Sequence, residues 1–239
     1  MQNINQVKNT IYNLVKDNCP IDYNPTDFVL DIIKPLAKDK LNQCIKECHE
    51  CDICKNNIKT FFNGTGNEPI LIIGETALSS QNQDCYPFEK SEEGILLSNI
   101  LNDLCINFNQ ISWINSINCF CSRTDSQNNI TKRPPTEQEA QSCSLFLNYA
   151  INSFRPKMII LLGNIALNMF KYERLQKILN KQIDIKGIPS FAVYSPTYAL
   201  EMDKLNHDSS FVKDLYEGLQ HSFNWFNKQY PEYQIFNKK

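Results

Sequence analysis

Residues 69–75 read Pro69-Ile70-Leu71-Ile72-Ile73-Gly74-Glu75, four consecutive aliphatic side chains stopped by a glycine and a carboxylate. A run this short and rich in β-branched residues reads as a strand, and apolar residues at successive positions mean that both faces are covered. Runs of the same kind recur at Ile111-Ser-Trp-Ile-Asn115, Lys157-Met-Ile-Ile-Leu-Leu162 and Phe191-Ala-Val-Tyr194. Between and after them, apolar spacing predicts helices near Glu92–Cys105, Thr136–Phe154, Ile165–Leu179 and His207–Trp225. Strands alternating with helices predict an α/β fold with a central four-stranded, mostly parallel sheet flanked by helices.

Outside this core, residues 1–45 read as a helical N-terminal extension, with Ile4, Val7, Ile11, Leu14 and Val15 on one helical face. The main domain is expected over 46–228, with 229–239 as a C-terminal tail. The chain of 239 residues is 42% hydrophobic and 21% charged, which excludes a disordered or low-complexity protein. No run approaches the ~18 apolar residues of a membrane span, and Met1–Lys8 lacks the features of a secretory signal. The expected setting is cytoplasmic, without a membrane partner. A net charge of −2 offers no global field for nucleic acid, so a nucleic-acid partner has to be argued from a local site.

In open α/β sheets, ligands bind beyond the carboxyl ends of the strands. That rule selects Gly74 and Glu75 after the first strand, Asn115 at the end of the second, and Ser195-Pro196-Thr197-Tyr198 after the fourth. Pro87-Phe88 follows the first strand and is placed to lay an aromatic face over the same crevice. Carboxylate, amide, hydroxyl and aromatic plate together suit a planar polar ring such as a nucleobase. The polar stretch Cys121–Pro135 is long for a loop, and long loops in compact domains are often functional.

Ten cysteines are present, and Cys48, Cys51, Cys54, Cys119 and Cys121 fall in two tight groups far apart in sequence. In a reducing compartment such groups read as ligands of a soft metal, zinc or iron–sulfur. Cys44, Cys54, Cys85 and Cys105 read individually as small buried hydrophobes.

Taken in order, the motifs resemble those of the family 4 uracil-DNA glycosylases, over about Cys48 to Leu215. Cys48-His-Glu-Cys51-Asp-Ile53 stands where that family has Cys-x-x-Cys-x-Leu, and Gly74-Glu75 opens its Gly-Glu-Ala-Pro-Gly turn. Pro87-Phe88 with Gly94-Ile-Leu-Leu97, Ile114-Asn115-Ser-Ile-Asn-Cys119 and Pro135-Thr136-Glu-Gln-Glu139-Ala-Gln-Ser-Cys143 follow in register. Arg155-Pro156-Lys-Met-Ile-Ile-Leu-Leu-Gly163 is similar to the third-strand signature, and Ser195-Pro196-Thr197-Tyr198 stands for His-Pro-Ser-Tyr. The resemblance implies a three-layer sandwich and a monomer that excises uracil, or a related deaminated base, from single- or double-stranded DNA. It also implies a 4Fe-4S cluster held by Cys48, Cys51, Cys143 and Cys119, with Cys121 the alternative third ligand and zinc the alternative metal.

By the same resemblance, Glu75, Asn115 and Ser195 are the catalytic positions, and Gly74, Phe88, Asn115, Pro196 and Thr197 bind the substrate. Phe88 stacks on the flipped base and Asn115 reads its edge, while Lys132 and Arg133 contact phosphate, and Thr197 and Tyr198 lie in a loop at the DNA surface. Three departures touch the chemistry. Ser195 replaces a histidine that donates to uracil O2, Thr76-Ala77-Leu78 breaks the glycine turn, and Gln81-Asn82 replaces an acidic pair. Two readings follow: an active glycosylase, or a weakened member that binds DNA or a protein partner without turnover.

Overall fold

The computed structural model describes residues 37–53, 58–78, 85–124, 126–127, 130–172, 174–207 and 209–237. The apolar face expected at Ile4–Val15, and Gln81-Asn82, lie outside these residues. The elements are helix α1 (residues 37–46), strand β1 (Ile70–Thr76), α2 (Glu92–Asp103), β2 (Ile111–Ile117), β3 (Ser122–Thr124) and β4 (Ile130–Lys132). They continue with α3 (Glu137–Phe154), β5 (Met158–Leu162), α4 (Gly163–Asn168), β6 (Ile183–Ile185), β7 (Ile188–Val193), α5 (Pro196–Asn206) and α6 (Ser210–Gln229).

The main sheet has five strands in the order β2-β1-β5-β7-β6. The four expected strands are parallel to one another. Their buried positions are continuous along β1 and β5, as the uninterrupted apolar runs require. The fifth strand, β6, was not foreseen; it is three residues long and pairs antiparallel with β7 at the sheet edge. Its turn is Lys186-Gly187, both at positive φ (53° and 82°), the backbone of a tight hairpin turn. Helix α3 packs on β2, α4 on β1 and β5, and α6 on β7.

Other expectations are corrected. The helix foreseen over 165–179 stops at Asn168, and Lys171 takes a left-handed φ of 65°. The helix expected over His207–Trp225 is α6, Ser210–Gln229, and an unforeseen helix, α5, precedes it and is closed by His207, left-handed at φ 54°. Buried Asp203 of α5 accepts hydrogen bonds from the Phe211 and Val212 amides and so caps α6. The polar loop after Cys121 contains the antiparallel hairpin of β3 and β4. The main core also takes in Ala37, Leu41 and Ile45 from α1 and Ile235 near the C-terminus.

Candidate active site and cysteine cluster

β1 and β2 run side by side with Gly74 opposite Asn115, so the backbone of one and the side chain of the other share the sheet's carboxyl end. Gly74 is needed there. A Cβ on it would collide with Asn115 Oδ1 and lie 3.0 Å from Phe88 Cζ. The missing methyl thus lets the Asn115 carbonyl and the Phe88 ring pack directly against Gly74. Asn115 is only 2% exposed; its Nδ2 donates to Thr60 Oγ1 at 2.9 Å, and its Oδ1 has no hydrogen-bond partner among the described residues. An orphaned buried acceptor costs about 1–3 kcal/mol, so a donor brought to it recovers that energy.

Phe88 is held in an unusual backbone state, φ 63°, which a bulky residue adopts only when its surroundings impose it. Its carbonyl accepts from the Ser91 hydroxyl at 3.0 Å. It sits where a Cβ on Gly94 would be. This explains the glycine of Gly94-Ile-Leu-Leu97 physically, since any side chain would push Phe88 out of place. The Phe88 ring meets Trp113 edge-to-face at 6.3 Å. Beyond Phe88 a separate groove of about 450 Å³ runs past Asn63, Trp113 and Phe108, and neither Glu75 nor Asn115 nor Ser195 lines it.

Glu75 follows Gly74 and is half-buried. Its Oε1 accepts from the backbone N–H of Ile165 at 3.0 Å, in the first turn of α4. Gly163, at φ 90°, makes the approach feasible, because a Cβ there would lie 2.6 Å from Glu75 Cδ and 2.9 Å from Ser195 Cβ. Burial pushes the Glu75 carboxyl above its ordinary value, against the opposing pull of the Ile165 amide, a hydrogen bond from Ser195 and the charge of Lys132. Lys132, on β4, therefore brings the hairpin's positive charge to the crevice.

Ser195 is the N-cap of α5, its hydroxyl oxygen accepting from the Tyr198 amide at 3.2 Å. Across Gly163 the Ser195 side chain neighbours the Glu75 carboxylate, since a Cβ on that glycine would meet both. Pro196 is the first residue of α5, and Thr197 Oγ1 reaches Glu93 at 3.5 Å. Thr197 and Tyr198 are thus helical, where a loop was expected, and Tyr198 stacks on Tyr194 at 5.4 Å. Arg133, expected on phosphate, is committed elsewhere. It forms a two-pronged pair with buried Glu139 at 2.6 and 2.7 Å and donates from Nε to the Ser122 carbonyl. Glu139 in turn completes the Thr136 capping box of α3. Thr60 and Arg133 in this structural role are contributions that sequence reasoning missed.

The two cysteine groups meet. Cys119, Cys121 and Cys143 are buried with Ile53 and Ile117, and Cys48 and Cys51 pack against them. Cys54 lies outside the described residues. Burial pushes the Cys121 thiol up to about 12, so without a cation it stays protonated. Among the described residues no three His, Cys, Asp or Glu side chains yet converge as a ready ligand set. The donor chemistry nonetheless fits a soft metal, since five cysteine sulfurs are gathered in this one cluster.

A parallel α/β sheet with an aromatic ring, a buried amide and a half-buried carboxylate at its carboxyl end places the protein among the open-sheet α/β proteins. The family comparison is specific: residues 61–220 match the model of the uracil DNA glycosylase superfamily, and the chain belongs to that superfamily. It is 25% identical over 189 residues to the type-4 uracil-DNA glycosylase of Archaeoglobus fulgidus, covering 73% of this chain and 90% of that protein. It is 28% identical over 150 residues to the type-4 uracil-DNA glycosylase of Pyrobaculum aerophilum, covering 62% and 71%.

Proposed function

We propose that this chain excises uracil from DNA by hydrolysing the N-glycosidic bond of a flipped nucleotide, the first step of base-excision repair. The observation that carries the reading is the meeting at Gly74 of the Phe88 ring and the buried Asn115 Oδ1, which has no hydrogen-bond partner among the described residues. Uracil presents a donor, N3–H, beside an acceptor, O4. Asn115 offers the matching acceptor and one remaining N–H, and Phe88 offers a face to stack on.

Bond cleavage leaves positive character on the sugar and negative charge on the departing base. Glu75, ionised, orients the attacking water or stabilises the sugar cation. Ser195 acts through Glu75 as a positioning residue. Pro196 and Thr197 begin α5, whose positive dipole end lies at the crevice and favours the anionic base. Lys132 adds a charge from the hairpin, toward base or phosphate.

Cys48, Cys51, Cys119 and Cys143 hold a 4Fe-4S cluster in this reading, with zinc as the alternative metal. When bound, the metal centre ties the segment before β1 to β2 and α3, and no step of the excision passes through it. The domain proposed over 46–228 acts as a monomer.

The test is single-turnover cleavage, after alkali, of a uracil-containing oligonucleotide by excess anaerobically purified protein. Cleavage that Phe88→Ala abolishes supports the glycosylase. Ser195, a neutral hydroxyl that caps α5 where the family has a histidine, favours a second reading, a DNA binder without turnover. Tight binding of the same oligonucleotide with no cleavage selects it.

A further inference from the structure

Lys59 is a buried cation that the excision chemistry does not use. It is 7% exposed, and its backbone pairs with Cys119 in an antiparallel bridge. Its Nζ donates at 2.8 Å to the carbonyls of both Lys46 and Cys48. One residue therefore touches the chain on both sides of the cysteine cluster, the turn that carries Cys48 and the strand end that carries Cys119.

Burying an ammonium is costly unless its hydrogen bonds and its charge are both answered. Two carbonyls answer the hydrogen bonds. Among the described residues no carboxylate is paired with Lys59. Thiolates grouped around a metal supply the missing charge, because four of them outweigh a divalent zinc ion or the core of an iron–sulfur cluster and leave the centre anionic.

We infer that Lys59 is a positioning residue of the metal centre, closing the Cys48 turn onto Cys119 and offsetting the centre's negative charge. The inference rests on the metal-centre reading above. It concerns a residue outside the ligand set, so the two fail separately.

The test compares wild-type protein with Lys59→Met and Lys59→Arg, purified anaerobically, by metal content per chain, by the half-life of the absorbance near ~400 nm under a chelator, and by reduction potential. Residues that orient metal ligands typically change metal affinity by about 10–100-fold when lost. Lys59→Met is expected to shorten the half-life by about 10-fold or more and to move the potential to more negative values, at temperatures where circular dichroism shows it folded. Lys59→Arg, which keeps charge and donors, is expected to restore most of both.

If Lys59→Met does not fold, Lys59→Gln, neutral but still a donor, carries the comparison and is expected to shift the potential in the same direction. Unchanged half-life and potential in the folded neutral variant overturn the inference while leaving the metal centre standing. Wild-type protein that holds neither iron nor zinc overturns the metal-centre reading and the inference with it.

Discussion

Glu75 and Ile165 are joined by one hydrogen bond, the Ile165 amide donating to the Glu75 carboxylate at 3.0 Å across 90 residues of sequence. The carboxylate at the crevice is thus also the anchor of α4, and the two duties separate by charge. An uncharged glutamine still accepts from Ile165, whereas excision needs the anion. Burial, the largest influence, holds the folded pKa above the ordinary 4.5. The stability that Glu75 contributes is therefore fully present below 4.5 and lost as pH rises through the higher folded value. Glu75→Gln is expected to be more heat-stable than wild type at neutral pH and to lose that advantage below pH 4.5. It is also expected to lose about 10²-fold or more in excision. Wild-type excision should show an acid limb above pH 4.5. Thermal unfolding and single-turnover rates across pH check both.

Asn115 separates binding from chemistry. Its Oδ1 has no hydrogen-bond partner among the described residues, so among its hydrogen bonds truncation forfeits the one to Thr60. Asn115→Ala is expected to reduce single-turnover excision by about 10²-fold or more, the scale of losing a preorganised polar contact to a developing charge. Its affinity for uracil-containing DNA should change far less. Equal losses in rate and affinity would make the residue structural.

The sheet and the crevice were legible because their signals are local. Ile70–Ile73 and Met158–Leu162 are apolar at every position, and a parallel sheet's carboxyl edge then follows from topology. β6 was not legible, since three residues turned by Lys186-Gly187 lack the usual Asn-Gly signal. Gly74, Asn115 and Phe88 follow from the rule that sites form beyond the strands' carboxyl ends, the family resemblance adding their roles, and they do meet. What the sequence could not disclose is where charges spend themselves. Arg133 reads as a phosphate contact until Glu139, six residues on, is seen to bind it with both carboxylate oxygens. Ser195 reads as a donor to the base until Gly163 is seen to let Glu75 beside it.

Gly74 tests the close approach of Asn115 and Phe88 without removing a polar group. Its backbone does not require glycine through a positive φ, so crowding is the only penalty of Gly74→Ala. The added methyl displaces Asn115 Oδ1 or the Phe88 ring and occupies the place of the base. Overpacking of this kind costs about 1–3 kcal/mol. Gly74→Ala is expected to remain folded by circular dichroism and to lose uracil excision nearly completely.

Arg133 and Lys132 are adjacent on the hairpin and should behave oppositely. The Arg133 guanidinium holds the Glu139 carboxyl below its ordinary 4.5. The stability from that pair is present above 4.5 and lost as pH falls through the lower folded value. Arg133→Ala is expected to cost about 1.5–3 kcal/mol at neutral pH, and less under acid conditions, by denaturant unfolding. Lys132→Ala, exposed, should leave stability unchanged while lowering DNA affinity or the excision rate. A stability loss in Lys132→Ala matching that of Arg133→Ala would contradict this division.

Cys119 and Cys121 compete for one place in the metal centre, and the backbone distinguishes them. Cys119 is bridged to Lys59, whose ammonium grips the Cys48 carbonyl, so two of the proposed ligands are drawn together by one residue. Cys121 is fully buried, and its thiol points to the Cys119 carbonyl at 3.9 Å, a contact that a protonated sulfur makes and a metal-bound one forfeits. Cys119→Ser is expected to abolish the brown colour and the iron of anaerobically purified protein. Cys121→Ser should keep both, at a stability cost of about 1–3 kcal/mol for a hydroxyl in a dry site. Iron lost only from Cys121→Ser would transfer the ligand role to Cys121, and zinc in place of iron in wild-type protein would change the metal while leaving the ligand comparison intact.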